Sequence, residues 1–178
     1  MPERGEATGV GELLELVDAE WLRLLSALDR ERRAAGASGR LAGGWSASDV
    51  LSHVRLYDAW LLGVLDPPQR EEQMPYRSYL TPEAEIHARN RHHVESDRSL
   101  REEELSSRAL DAHSRLREVL ARLSDEDLVT PHTVAGSRFE PSPEGRSLAS
   151  LVAIETHWHY ADHADDLDRL GGGASEPG

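Results

Sequence analysis

Apolar residues recur at steps of three and four through most of this chain, and they do so in four separate blocks. From Val10 they fall at Leu13, Leu14, Val17, Trp21, Leu24, Leu25 and Leu28. The second block is Val50, His53, Val54, Tyr57, Trp60, Leu61 and Val64, and the third is Leu105, Ala109, Ala112, Leu116, Val119, Leu120 and Leu123. The fourth is Leu148, Leu151, Val152, Thr156, His159, Tyr160, His163 and Leu167. That spacing puts each set on one face of an α-helix, and a helix with one apolar face must bury it against another element. No stretch alternates convincingly with a period of two. The pattern predicts an all-α four-helix bundle.

Local signals place the helix ends. Four glycines between Gly36 and Gly44 close the first helix. Ser46 is placed to cap the second, with Asp49 three residues on completing a capping box and Trp45 able to staple back. Asp66-Pro67-Pro68 ends it, since proline lacks the donor that a continuing helix needs. Residues 67–80 read as a loop, and Thr81-Pro82-Glu83 opens a polar, solvated helix that leads into a better one from about Ser99. Ser124-Asp125-Glu126-Asp127 caps a short turn. Residues 129–146 hold three Pro and two Gly and read as a long irregular loop, with a brief extended piece at Val134 and Phe139. The last helix is expected from about Ser147 to Leu170, stopped by Gly171-Gly172-Gly173. The expected organisation is a flexible start over 1–9, one bundle domain over 10–170 and a flexible tail over 171–178.

Composition narrows the chemistry. The 178 residues contain no Cys, and all 20 basic residues are Arg. Thiolate nucleophiles, disulfides, iron–sulfur clusters, lysine Schiff bases and lysine phosphate loops are therefore excluded. The net charge of −13 repels phosphate backbones and anionic lipid, so neither nucleic acid nor a membrane is an expected partner. The first residues carry charge where a signal peptide needs an apolar run, and a cytoplasmic protein is the expectation. What remains for chemistry is nine His, the carboxylates and the hydroxyls.

The most informative stretch is Glu155-Thr156-His157-Trp158-His159-Tyr160-Ala161-Asp162-His163. His159 and His163 are four apart, hence stacked on one helical face within reach of a single divalent ion. His53 is the natural third ligand, because it lies in the inward stripe of the second helix, where a solvated imidazole has no business. His87, His92, His93, His113 and His132 read as ordinary structural or surface residues, and His157 points to another face. Three neutral imidazoles would leave the ion its charge and an open position for water or substrate. Tyr57, one turn past His53, is a candidate to donate a proton to a leaving group or to orient a ligand. Glu155, one turn before His159, is a candidate general base or an acceptor for an imidazole N–H.

Two segments carry a family resemblance. Trp45-Ser46-Ala47-Ser48-Asp49-Val50-Leu51-Ser52-His53 resembles the W-S-x-x-D-V/L-L-x-H signature of the DinB-like superfamily of metal-binding four-helix bundles. Thr156-His157-Trp158-His159-Tyr160-Ala161-Asp162-His163 resembles its T-x-x-H-Y-x-x-H segment. The order of the parts agrees over roughly residues 10–170. The resemblance implies the DinB/YfiT type of bundle, with His53, His159 and His163 holding one divalent ion, often zinc or nickel. Leu123-Ser124-Asp125-Glu126-Asp127-Leu128 and the run on to Asp165-Asp166-Leu167 look closest to the ClbS/DfsB branch, which includes a cyclopropane hydrolase giving self-resistance to colibactin. Other branches are S-transferases that use a low-molecular-weight thiol such as bacillithiol, mycothiol or glutathione, and relatives often form homodimers. Two expectations follow. One is a metal-dependent hydrolase or thiol transferase that attacks an electrophilic small molecule, in detoxification, self-resistance or secondary metabolism. The other is a non-catalytic protein that binds and sequesters a small molecule.

Overall fold

The computed structural model describes residues 6–35, 44–69, 83–135 and 138–172. Most of the expected glycine break, the Thr81-Pro82 start signal and the tail beyond 172 lie outside those residues. Four long helices build the bundle: α1 (Val10–Ala35), α2 (Ala47–Leu65), α4 (Glu102–Leu120) and α7 (His157–Gly172). Between them come α3 (Glu83–Asp97), the short α5 (Asp125–Val129) and α6 (Leu148–Glu155). The apolar faces anticipated from the spacing meet in one core that includes Leu13, Leu24, Leu61, Leu116, Leu120 and Val152. No helix is long and apolar enough to cross a membrane among the described residues.

Helix α2 is the centre of this arrangement. It is buried on nearly every side from Ala47 to Val64, its apolar residues interspersed with buried polar ones (Asp49, Ser52, His53, Arg55 and Asp58) that find partners outside α2. Helix α1 packs chiefly on α7 and α2 chiefly on α4, while α2 and α7 touch only sparsely. Ion pairs fix the directions. Arg23–Asp165 and Arg30–Asp168 run in step along α1 and α7, so these two are parallel. Arg117–Asp18 and Arg32–Glu102 cross α1 and α4 in opposite order, so these are antiparallel.

The cap of α2 forms as expected. Ser46 Oγ accepts from the Asp49 N–H at 3.2 Å, and Asp49 accepts from the Ser46 N–H at 2.9 Å. Asp49 is also gripped by Arg98 through two hydrogen bonds of 2.9 and 3.0 Å, which ties α2 to the end of α3. Burial works to raise the Asp49 carboxyl, but Arg98 and Ser46 outweigh it and hold the group below its ordinary value. A depressed carboxyl contributes stability that is full above its unfolded pKa and is lost as pH falls through its folded pKa. Asp49→Ala is therefore expected to cost about 1–2 kcal/mol at neutral pH. The gap between wild type and variant in urea midpoint should close on acidification from pH 7 to below pH 3. A gap independent of pH would place the loss in packing instead.

Two elements depart from the expected order. The segment before the last helix is not wholly irregular. It folds as β1 (Pro131–Ala135), β2 (Arg138–Pro141) and β3 (Arg146–Ser147), a small antiparallel sheet in the order β2-β1-β3. Val134 pairs with Phe139, so the extended piece expected at those residues is one rung of a hairpin. Strands of two to five residues are too short for a period of two to be read, and their pairing comes from contacts across the segment. Gly145 is required here: a Cβ at this position would lie 2.1 Å from the His132 carbonyl oxygen. The last helix is also broken in two. Thr156 has φ −121° and ψ −107°, and its hydroxyl turns back to donate to the Val152 carbonyl at 2.7 Å.

Candidate metal centre

The break at Thr156 positions the site. It ends α6 and lets α7 start afresh at His157, with His159 and His163 on the face that meets α2. His159 Nε2 lies 3.0 Å from His163 Nε2 and 3.0 Å from His53 Nε2, although His53 is 106 residues away. The ligand atoms of all three lie within 4.8 Å of one another. His53 is 6 % exposed, and the other two are half-buried. The three imidazoles singled out by spacing are thus brought together.

The donor set fits a cation. A divalent ion bonded to nitrogens at about 2.1 Å separates them by about 3.0–3.4 Å, from octahedral to tetrahedral angles. A neutral imidazole offers one lone pair or one N–H at Nε2, and neither serves two neighbouring nitrogens in good geometry. The two separations of 3.0 Å fall in the range that such an ion sets, and the three nitrogens, all within 4.8 Å of one another, suit a shared cation. Burial holds His163 below the ordinary imidazole value, against the opposing pull of Asp166 and Asp162, so its lone pair is available near neutrality.

Aromatic rings wall this set. Tyr57 sits with its ring centroid 4.7 Å from that of His53 and 4.6 Å from that of His159. Trp45, which precedes the cap of α2, lies 4.9 Å from His53. The Tyr57 oxygen accepts from Asn90 Nδ2 of α3 at 3.1 Å, and both residues are buried. Asn90 carried no recognisable sequence signal, since it lies in a helix that reads as solvated. Glu155 requires a correction. It closes α6 ahead of the break, so it is not one helical turn before His159 on a continuous helix. It is nevertheless buried, at 2 % exposure. His157 is buried and stands outside the converging set.

Sequence reasoning passed over a second buried cluster beside the first. Tyr160 donates to Asp58, which is wholly buried, and His113 Nδ1 of α4 lies 3.4 Å from the Tyr160 oxygen and 3.6 Å from Asp58 Oδ2. Trp21 of α1 stacks on the His113 ring at 4.1 Å and 7°. His113 is therefore a structural core residue rather than a surface one. Burial pushes the Asp58 carboxyl up, against His113 and Tyr160, and burial together with Asp58 holds the Tyr160 phenol well above its ordinary value. The available signal was a carboxylate at position 58 inside the otherwise uncharged run from Leu56 to Leu65.

A cavity of about 430 Å³ opens between the start of α2, the end of α3 and α4, but none of the three imidazoles lines it. Its carboxylates Asp49, Asp97 and Glu102 are already engaged by Arg98, Arg55 and Arg32. The converging imidazoles are the better candidate for chemistry.

A helical bundle that gathers three histidines from two of its helices belongs to a recognisable class, the DinB-like fold. The chain is a member of the family described as the mycothiol maleylpyruvate isomerase N-terminal domain, which it matches over residues 6–164. That family, within the DinB-like superfamily, is typically metal-binding. Its fold is shared with the colibactin self-resistance protein ClbS, solved in complex with a dsDNA, at 14% identity and a TM-score of 0.71, covering 95% of this chain and 99% of that one. It is shared equally with the sibling lethal factor precursor DfsB, at 14% identity and a TM-score of 0.71, covering 97% and 100%. An uncharacterised protein from Escherichia coli UTI89 is similar at 14% identity and a TM-score of 0.68, covering 94% and 95%. No curated protein matches the sequence.

Proposed function

We propose that this protein is a divalent-metal-dependent enzyme acting on an electrophilic small molecule, with His53, His159 and His163 holding zinc or nickel. The single observation that carries this reading is the convergence of three imidazole nitrogens from α2 and α7. When bound there, such an ion supplies an acidified water or thiol and polarises an electrophile. The rest is the work of the chain's own side chains. Tyr57, held by the Asn90 amide, which donates to its oxygen at 3.1 Å and whose Oδ1 lies 3.5 Å from the same oxygen, is positioned beside the histidine set to pass a proton to a leaving group by exchanging the Asn90 contact for the substrate. Trp45 and the Tyr57 ring give a substrate apolar walls. Glu155, buried and without a neighbouring helical turn in register, is proposed as a base only where a substrate or water reaches it. Membership of a family named for mycothiol favours a low-molecular-weight thiol as co-substrate.

The test begins with protein purified without a histidine tag. Stoichiometric zinc or nickel on isolation, and a rise in melting temperature when either is added to metal-free protein, are the expected results. Neither occurring would remove the enzyme reading. Turnover is then followed on an epoxide and on an activated cyclopropane, each with and without thiol. A sequestering protein would return these molecules chemically unchanged. Tyr57→Phe is expected to lower turnover by about 10²–10⁴-fold with metal content intact, the range for loss of a positioned proton donor. Normal turnover would make Tyr57 a wall residue only.

ClbS was solved with a dsDNA. For the present chain a charge of −13 opposes phosphate binding. No shift of a duplex is expected at any salt concentration, and a shift that weakens as salt rises would revive a DNA role.

A further inference from the structure

The geometry points to Asp58 and Tyr160 as positioning residues that set the spacing of α2 and α7 and so hold His53 against His159. The inference rests on the reading of the three imidazoles as a metal set. Each of the two residues directly follows one that faces that set: Tyr57 precedes Asp58, and His159 precedes Tyr160. Successive residues on a helix project about 100° apart. Tyr57 and His159 therefore look outward to the histidine set while Asp58 and Tyr160 look into the bundle axis, where both are 0 % exposed.

The need for such a tie follows from the packing. The helices that carry the ligands are not each other's main partners, since α2 leans on α4 and α7 leans on α1. A direct hydrogen bond from Tyr160 to Asp58 crosses this sparse contact, one residue from His159 on α7 and five residues from His53 on α2. The other two long helices brace it. His113 of α4 approaches both groups, and Trp21 of α1 stacks on His113 and meets the Tyr160 ring edge-on at 5.4 Å. All four long helices thus contribute one side chain to a polar knot beside the ligand set. A directional bond inside a dry core fixes distance more tightly than apolar contact, which tolerates small slides. Outer groups that hold ligands in place typically change metal affinity by about 10–100-fold when removed.

The test uses cobalt(II) alone as the probe, because its visible absorption reports coordination geometry as well as occupancy. Tyr160→Phe keeps the ring and deletes the hydroxyl. It is expected to weaken cobalt binding by about tenfold or more and to alter the absorption bands. Asp58→Asn keeps an acceptor oxygen for Tyr160 and is expected to retain wild-type affinity and bands. The double variant Asp58→Leu/Tyr160→Phe replaces both partners by apolar groups, which avoids a buried unpaired carboxylate and preserves the fold. If the knot is only structural, the double variant binds cobalt as wild type does, with the same spectrum, and the inference is overturned. Equal losses in Asp58→Asn and Tyr160→Phe overturn it as well. Failure of the wild-type protein to take up cobalt would instead sink the metal reading. In that event imidazole ¹⁵N–¹H spectra of the protein decide the positioning claim. Displaced His53 and His159 resonances in the double variant support it, and unchanged ones overturn it.

Discussion

His159→Ala is expected to weaken binding of a divalent ion by more than about a hundredfold, a loss beyond the usual effect of removing an outer partner. The reason lies in the centre of the set. His159 Nε2 is the atom within 3.0 Å of both other nitrogens, so its removal leaves two imidazoles on different helices with no ligand between them. The fold should survive. His159 is only half-buried, and the apolar core is complete without it, so the metal-free variant should melt within about 1 kcal/mol of wild type. His92→Ala, exposed on α3, is the matched control and should bind as wild type does. Metal content and a chelator competition titration read both. Full occupancy in His159→Ala would mean that the ligands are elsewhere.

That separation between site and scaffold also explains what could be read from the sequence. The four long helices were legible because a 3.6-residue period repeats over many turns, and the caps at Ser46 and Ser124 were legible because their chemistry is local. His159 and His163 were legible as a pair for the same reason. His53 could be joined to them because an imidazole in an apolar stripe stands out. Asp58, His113 and Asn90 escaped for the converse reason. His113 and Asn90 look ordinary within their own helices, Asp58 shows only as a charge in an apolar run, and each acquires a role only from a partner on another helix. The break at Thr156 was hidden too, since threonine is compatible with a continuing helix and the kink depends on its hydroxyl bonding back to Val152. Its consequence fell on Glu155, whose spacing argument assumed a helix that does not continue.

Leu120→Ala tests the scaffold where His159→Ala tests the site, and the two should fail in opposite ways. Leu120 lies in the last turn of α4, is 0 % exposed, and belongs to the core shared with α2. Truncating a buried leucine removes its transfer free energy and leaves a cavity that close-packed neighbours refill only in part, a cost of about 3–5 kcal/mol. For a chain of this size that is a fall of about 10 °C in melting temperature, read on metal-free protein by calorimetry or circular dichroism. Leu120 is two turns beyond His113 along α4, outside the polar knot and the imidazole set. At a temperature where the variant remains folded, its metal affinity should therefore match wild type within about twofold, corresponding to less than about 0.5 kcal/mol of coupling between distant sites. A large loss of affinity in folded Leu120→Ala protein would show that general packing, rather than the bond from Tyr160 to Asp58, holds α2 in register with α7.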